Sequence, residues 1–337
     1  MPLSFRTCLY ALASFCVLAL GDGRAFAQCQ GDDLFAASLQ SRPWGGELRD
    51  IASKLPNREG RLWRVSRGSE LPSYIFGTLH LSDPRLTALA GMLVERIRKA
   101  SILVIETTEV SSLGVGRTNA RSKEQFRESL QAPRSRRPGT LLDPEDHESL
   151  VALARDRGLP PSAARKWKAS ALALLLDQPR CAAAAAEKQP YLDALVAQTA
   201  RSAGVEIVGL ETLAEQFGIF DGLPAETERA LLMSVLRQAP YGASSVESQI
   251  ARFLARDAGG VIALMRLGPT PETPESRTPP EFLDRLLASR TARMAERVQP
   301  ILERGNAFVA IGIAHLPGEA GLVATLRRAG WTVSVLD

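Results

Sequence analysis

A chain of 337 residues with 45% hydrophobic content is long enough for one large domain or two small ones. Its 41 basic and 37 acidic residues balance to a net charge of only +4, which argues against nucleic acid as a partner. The basic cluster Arg134, Arg136 and Arg137 sits among Pro, Ser and Gly without interleaved aromatics, and reads as a solvated loop.

The first 27 residues have the layout of an export signal. Arg6 supplies the positive start, residues 8–20 form an apolar run, and Ala25-Phe26-Ala27 offers a small-x-small cleavage site before Gln28. The apolar run is shorter than the roughly 20 residues that a bilayer span needs. The expectation is a periplasmic or secreted protein, cut near Ala27, with no stable membrane span afterwards; a retained anchor is the alternative. Cleavage removes Cys8 and Cys16 and leaves Cys29 and Cys181. In an oxidising compartment a lone cysteine pair suggests one disulfide, with two separate buried thiols as the other reading.

Residues 28–60 read as a polar entry segment. Leu62-Trp63-Arg64-Val65 and Ser73-Tyr74-Ile75-Phe76 then form a strand pair across a hairpin loop, the second strand running into Gly77-Thr78-Leu79-His80. Asp83 caps a helix over 84–100, with Pro84 at its first position. Ile102-Leu103-Val104-Ile105 is a fully apolar run of the kind that forms a central strand, and Glu106 follows it directly. Residues 111–139 are irregular, with a short helix expected near 123–130; the segment reads as a passive insertion or a lid. The stretch 143–203 is helical with breaks at 158–161 and 179–180. A short strand over 205–208 leads through Gly209 and Leu210 to Glu211. Helices follow to 267, then a Pro/Thr-rich connector over 268–280 and a long helix over 282–304 carrying Arg290. A strand over 307–313 ends at His315, and a helix over 318–329 precedes a last strand over 331–336.

Strands alternating with helices predict an α/β fold with a mostly parallel central sheet flanked by helices. Residues 28–337 read as a single domain in which 143–304, largely helical, is an insertion or cap between two strand-rich ends. Those ends share a pattern. Tyr74-Ile75-Phe76-Gly77-Thr78-Leu79-His80-Leu81 and Val309-Ala310-Ile311-Gly312-Ile313-Ala314-His315-Leu316 each run from apolar strand through Gly-x-x-His to leucine. Two of the three histidines in the chain occupy these matched positions, while His147 lies in a charged helix start and reads as a surface residue. In open α/β sheets ligands bind at the carboxyl ends of strands.

Glu106 and Glu211 fall at the ends of other strands and complete a candidate site. Two imidazoles and a carboxylate form a common ligand set for a catalytic divalent metal with a position left for water. His80, His315 and Glu106 are therefore candidate metal ligands, Glu211 a base or fourth ligand, and Arg290 a balance for the carboxylates or support for an oxyanion. The alternatives are a salt bridge to a helix end for Glu106 and a helix N-terminal placement for Glu211. Gln216 reads as a helix surface or packing residue, and Asp193 as a residue that opens a helix, with a site role as the lesser alternative.

The segments Gly77-Thr78-Leu79-His80-Leu81, Gly209-Leu210-Glu211-Thr212 with Glu215-Gln216, and Gly312 to His315 before Leu316-Pro317-Gly318 together resemble the TraB/GumN family. The closing residues Gly321-Leu322, Leu326 and Ala329-Gly330-Trp331 fit the same pattern, so the resemblance covers 61–337 in order. That family is similar to the Tiki proteins, metal-dependent proteases associated with paired Gly-x-x-His motifs and a glutamate. It also resembles a wider group with ChaN-like haem-binding proteins and erythromycin-esterase-like hydrolases. The resemblance implies a metal-dependent hydrolase acting on a peptide or small envelope substrate. Its rival is a non-catalytic protein that holds haem, metal or another envelope ligand. One departure stands out: the family often shows Arg-Asn in the helix before the second motif, and here Arg290 is followed by Thr291.

Overall fold

The computed structural model of the protein describes residues 29–41, 44–109, 128, 130–160, 162–268, 270 and 273–337. The expected signal segment and most of the irregular stretch after Glu109, with the short helix expected near 123–130, lie outside the described residues.

Six strands form one sheet: β1 (Leu62–Ser66), β2 (Ser73–Thr78), β3 (Ile102–Ile105), β4 (Glu206–Gly209), β5 (Ala307–Gly312) and β6 (Thr332–Val335), in the order β4-β3-β5-β2-β1-β6. The pairs β2·β5, β3·β5 and β3·β4 are parallel; β1 pairs antiparallel with both β2 and β6. The expected mostly parallel sheet flanked by helices is thus present. The consequence for function is direct: β2, β3, β4 and β5 all point their carboxyl ends at one edge.

Strand alternation divides the core in two. Phe76, Leu103, Ile105, Phe308 and Ala310 face the helices of the chain's middle, and Ile75, Ile102, Val104, Val309 and Ile311 face the helices Arg290–Leu302 and Leu322–Arg328. Burial on both faces explains why these strands read as continuous apolar runs.

The expected helix over 84–100 is two helices, Pro84–Thr87 and Ala90–Lys99. Tightened bonds from Leu89 N to Leu86 O and from Met92 N to Leu89 O interrupt it. Asp83 caps the first through Arg85 N, as its position suggested. The fourth strand starts one residue later than expected, because Glu206 pairs with Ile102 and Gly209 with Ile105. The long helix after residue 280 contains a π-helical turn, Asp284–Ser289, immediately before Arg290. Wide turns of this kind are frequent at functional sites. Cys29 and Cys181 are disulfide-bonded, with Cα atoms 5.0 Å apart. Among the described residues no helix is long and apolar enough to cross a membrane.

Candidate functional site

The parallel register sets the site. Thr78 pairs with Gly312 and Ile105 with both Ala310 and Gly209, so the residues after each strand emerge side by side. Gly312 is the meeting point. A Cβ there would lie 3.1 Å from Glu106 Oε1, 3.4 Å from His80 Nε2 and 3.5 Å from the His315 ring. The absent side chain is what lets these three groups converge. Gly77 answers a different need: a Cβ there would come within 2.9 Å of Ile313 and Leu316, blocking the 3-10 turn Ile313–His315 from packing on β2. The two glycines of the repeated pattern therefore serve packing at one strand and convergence at the other.

His80 is aimed by a residue from the helical middle of the chain. Asp193, in the first turn of the helix Leu192–Ser202, sets Oδ2 3.1 Å from His80 Nδ1 and accepts at Oδ1 from Thr78 Oγ1 at 2.6 Å. The Nδ1 proton goes to Asp193, leaving His80 Nε2 3.5 Å from Glu106 Oε1. The Tyr191 ring meets His80 edge-on, with centroids 6.4 Å apart. Burial opposes charging His80, but the Asp193 and Glu106 carboxylates outweigh it and hold its pKa well above the ordinary value.

Glu106 accepts from Gly312 N at 2.7 Å, from Arg290 Nη2 at 2.7 Å and from Gln216 Nε2 at 3.5 Å. Burial favours its neutral form, yet Arg290 and the two histidines keep its carboxyl well below the usual range. Glu211 is sealed. Its Oε2 accepts from Arg290 Nε and Nη2 at 3.0 and 2.7 Å, its Oε1 from Arg293 Nη1 at 3.1 Å, and its side chain has 0% exposure. It reaches the site through Arg290. Arg290 Nη1 hydrogen-bonds none of the described residues, and Arg290 lines the adjoining cavity.

His315 is buried, with Nδ1 2.8 Å from Thr291 Oγ1. Thr291 thus fixes the second histidine from the position where the resembled family often carries Asn. Burial first, and the Arg290 charge second, push the His315 imidazole down to about 3. His147 lies elsewhere, near the Ala164 carbonyl at 3.3 Å.

All five candidate residues, His80, Glu106, Glu211, Arg290 and His315, come together. Sequence reasoning missed Thr78, Thr291 and the contact of Gln216, and gave Asp193 a site role only as the lesser reading. Asp193 lies 113 positions from His80 and carries no local signal beyond its place at a helix start. Thr78 sits inside the first Gly-x-x-His and was the one neighbour in plain view.

Ligands of a tetrahedral ion with bonds of about 2.0–2.2 Å stand about 3.3–3.6 Å apart. His80 Nε2 and Glu106 Oε1 match that spacing at 3.5 Å. An aspartate behind a ligating histidine is also the usual support for such an imidazole. Among the described residues no three His, Cys, Asp or Glu side chains already form a ligand set, and the His315 atom that faces Gly312 is the ring carbon Cδ2. Three carboxylates, Glu106, Glu211 and Asp193, face the Arg290 and Arg293 guanidiniums and the His80 imidazole. A cavity of about 300 Å³ opens from His80, Glu106, Arg290 and His315 into the helical middle of the chain.

A family model described as the TraB/PrgY/gumN family matches residues 61–335. Neither a curated protein nor a solved structure matches the chain.

Proposed function

Because the chain belongs to the TraB/PrgY/gumN family, we propose that it is an exported, metal-dependent hydrolase acting on peptide bonds at the carboxyl edge of the sheet. The observation that carries this reading is the convergence on Gly312 of His80 Nε2, Glu106 Oε1 and the His315 ring. His80, Glu106 and His315 would hold the divalent ion. When bound, such an ion polarises a carbonyl and lowers the pKa of water toward about 7.

The remaining residues position these groups. Asp193 and Thr78 set the direction of His80, and Thr291 sets that of His315. Arg290 faces the cavity with Nη1 available to a developing oxyanion, and Glu211 with Glu106 fixes its plane through Nε and Nη2. Glu211 therefore acts by holding Arg290. The helices of the stretch 143–304 that precede Arg290 serve as the cap over this edge and wall the cavity. Export is supported by the disulfide, which is characteristic of oxidising compartments.

The test is metal analysis of the purified protein after dialysis against zinc, manganese or cobalt. About one equivalent of divalent ion is expected in the unaltered protein and none in the His80→Ala, His315→Ala double variant. Failure to bind any of the three, or equal binding by the double variant, would sink the reading. A protein that binds metal but cleaves no peptide in a broad peptide library would be the non-catalytic holder of metal or haem instead.

A further inference from the structure

The cavity has a second polar end that the proposed chemistry does not use. Asp177 and Gln178, at the end of the helix Ala169–Asp177, share its wall with Ser245 and Gln249 of the helix Gly242–Leu254. Pro179, just past the first helix, packs on the second at Gly242, where a Cβ would lie 3.0 Å from it. Ser245 and Gln249 are one turn apart and present one face.

This end is distinct from the histidine end. The charges that act on His80 are Asp193 and Glu106, whereas Arg157 alone acts on Asp177. Leu174, Leu231, Val235, Met265, Leu283 and Leu286 line the same cavity and give it an apolar wall.

The Asp177 carboxylate offers acceptors only, and the Gln178 and Gln249 amides can each accept beside it. Among the described residues the Asp177 carboxylate receives no hydrogen bond; Arg157 turns its guanidinium to Asp156 and to the Leu176 carbonyl. Asp177 is exposed along the cavity wall, and the protein packed around it raises its carboxyl above the ordinary range. Gln249 donates through Nε2 to Ser245 Oγ at 3.3 Å, which leaves its Oε1 as an acceptor. A carboxylate and two amide oxygens match a group with three donors and no acceptor, which is a primary ammonium.

We propose that the Asp177 end of the cavity is a recognition subsite for a primary ammonium carried on an apolar stem. Asp177 is its counter-charge, and Gln178 and Gln249 are its further acceptors. Resting on the hydrolase reading above, the substrate is then an amine-bearing apolar molecule whose susceptible bond lies against His80 and Glu106. The binding half of the inference stands without that reading.

Calorimetric titration of the purified protein with n-octylammonium chloride, octan-1-ol and sodium octanoate tests it. Octylammonium is expected to bind about tenfold tighter than octan-1-ol, a difference of about 1.4 kcal/mol, and octanoate more weakly than either. Asp177→Asn should bring octylammonium within about twofold of octan-1-ol, the scale of a lost charge-assisted hydrogen bond. Gln249→Met should weaken the ammonium with octan-1-ol unchanged, which also reports that the cavity is intact. His80→Ala should leave the ammonium preference in place. Equal binding of amine and alcohol by the unaltered protein would overturn the subsite, as would a preference that survives Asp177→Asn. Loss of metal dependence would end the hydrolase reading and leave these titrations as they are.

Discussion

Arg290 satisfies two carboxylates that water barely reaches. Its side chain is 7% exposed, Glu211 0% and Glu106 11%. Burial alone would favour a neutral Glu106, and the guanidinium 2.7 Å away keeps it charged. Such networks add little over a well-packed apolar core, but removing one partner leaves buried charge uncompensated. Arg290→Met is therefore expected to cost about 3–5 kcal/mol in urea unfolding. Adding Glu211→Gln to it should recover part of the loss, because the charge left behind is then smaller. A single variant within about 1 kcal/mol of the parent would mean that Glu106 and Glu211 are stabilised by other means. Residues at this scale were legible where an apolar strand ended on a chemical group, as at His80, Glu106 and His315. Asp193 was not, since its partner is set by how the helix Leu192–Ser202 docks over the sheet edge, a matter of tertiary packing. Thr291 read as a departure from pattern, and only its 2.8 Å contact with His315 gives it a role.

Among the elements, strands were easier to place than helices. A strand buried on both faces announces itself as an apolar run, and β3 and β5 do so. Helix interruptions follow local bonding and packing as well as composition. The expected break before Arg180 is real, with Pro179 ahead of the helix Arg180–Lys188, whereas the split at Ala88 and Leu89 has no proline or glycine to mark it. The short helix Leu213–Phe217 begins with a capping box: Thr212 Oγ1 accepts from Glu215 N, and Glu215 accepts from Thr212 N. Glu215 also takes two bonds from Arg297, at 2.6 and 2.8 Å, tying this helix to the one that carries Arg290. Those bonds, chiefly Arg297's, lower the Glu215 carboxyl from 4.5 to about 2. A depressed carboxyl contributes stability that is present above its unfolded value and lost as pH falls through the folded one. The pair is largely exposed, so screening limits it to about 0.5–1 kcal/mol. Glu215→Gln keeps the capping geometry and removes the charge. Thermal melts should show the variant less stable at pH 6–7, with the gap narrowing as pH falls from 4.5 towards 2 and smaller in high salt. A gap that persists unchanged to pH 2 would assign it to the cap alone.

At the scale of the whole molecule, the site depends on two parts of the chain being held in one relation. The sheet edge provides His80, Glu106 and His315, and the helical middle provides Asp193, Arg290 and the cavity wall. The division into strand-rich ends and helical middle was visible from the alternation of elements. What the helices cover was not, because their apolar faces fit either side of a sheet until the topology is known. The disulfide acts on this relation. Cys29 lies ahead of the sheet and Cys181 in the helix Arg180–Lys188, just after the Asp177–Gln178 wall of the cavity, and 152 positions separate them. Cross-linking so long a loop removes much freedom from the unfolded chain, with an upper figure of about 5 kcal/mol in the chain-entropy account and about 2–5 kcal/mol in practice. Replacing both cysteines with serine should lower the unfolding free energy by that amount. Dithiothreitol should bring the parent down to the level of the variant, and the variant itself should not respond. If instead reductant leaves the parent's stability within about 1 kcal/mol of its oxidised value, the helical middle is held on the sheet by packing alone, and the bond is a consequence of the fold rather than a support for it.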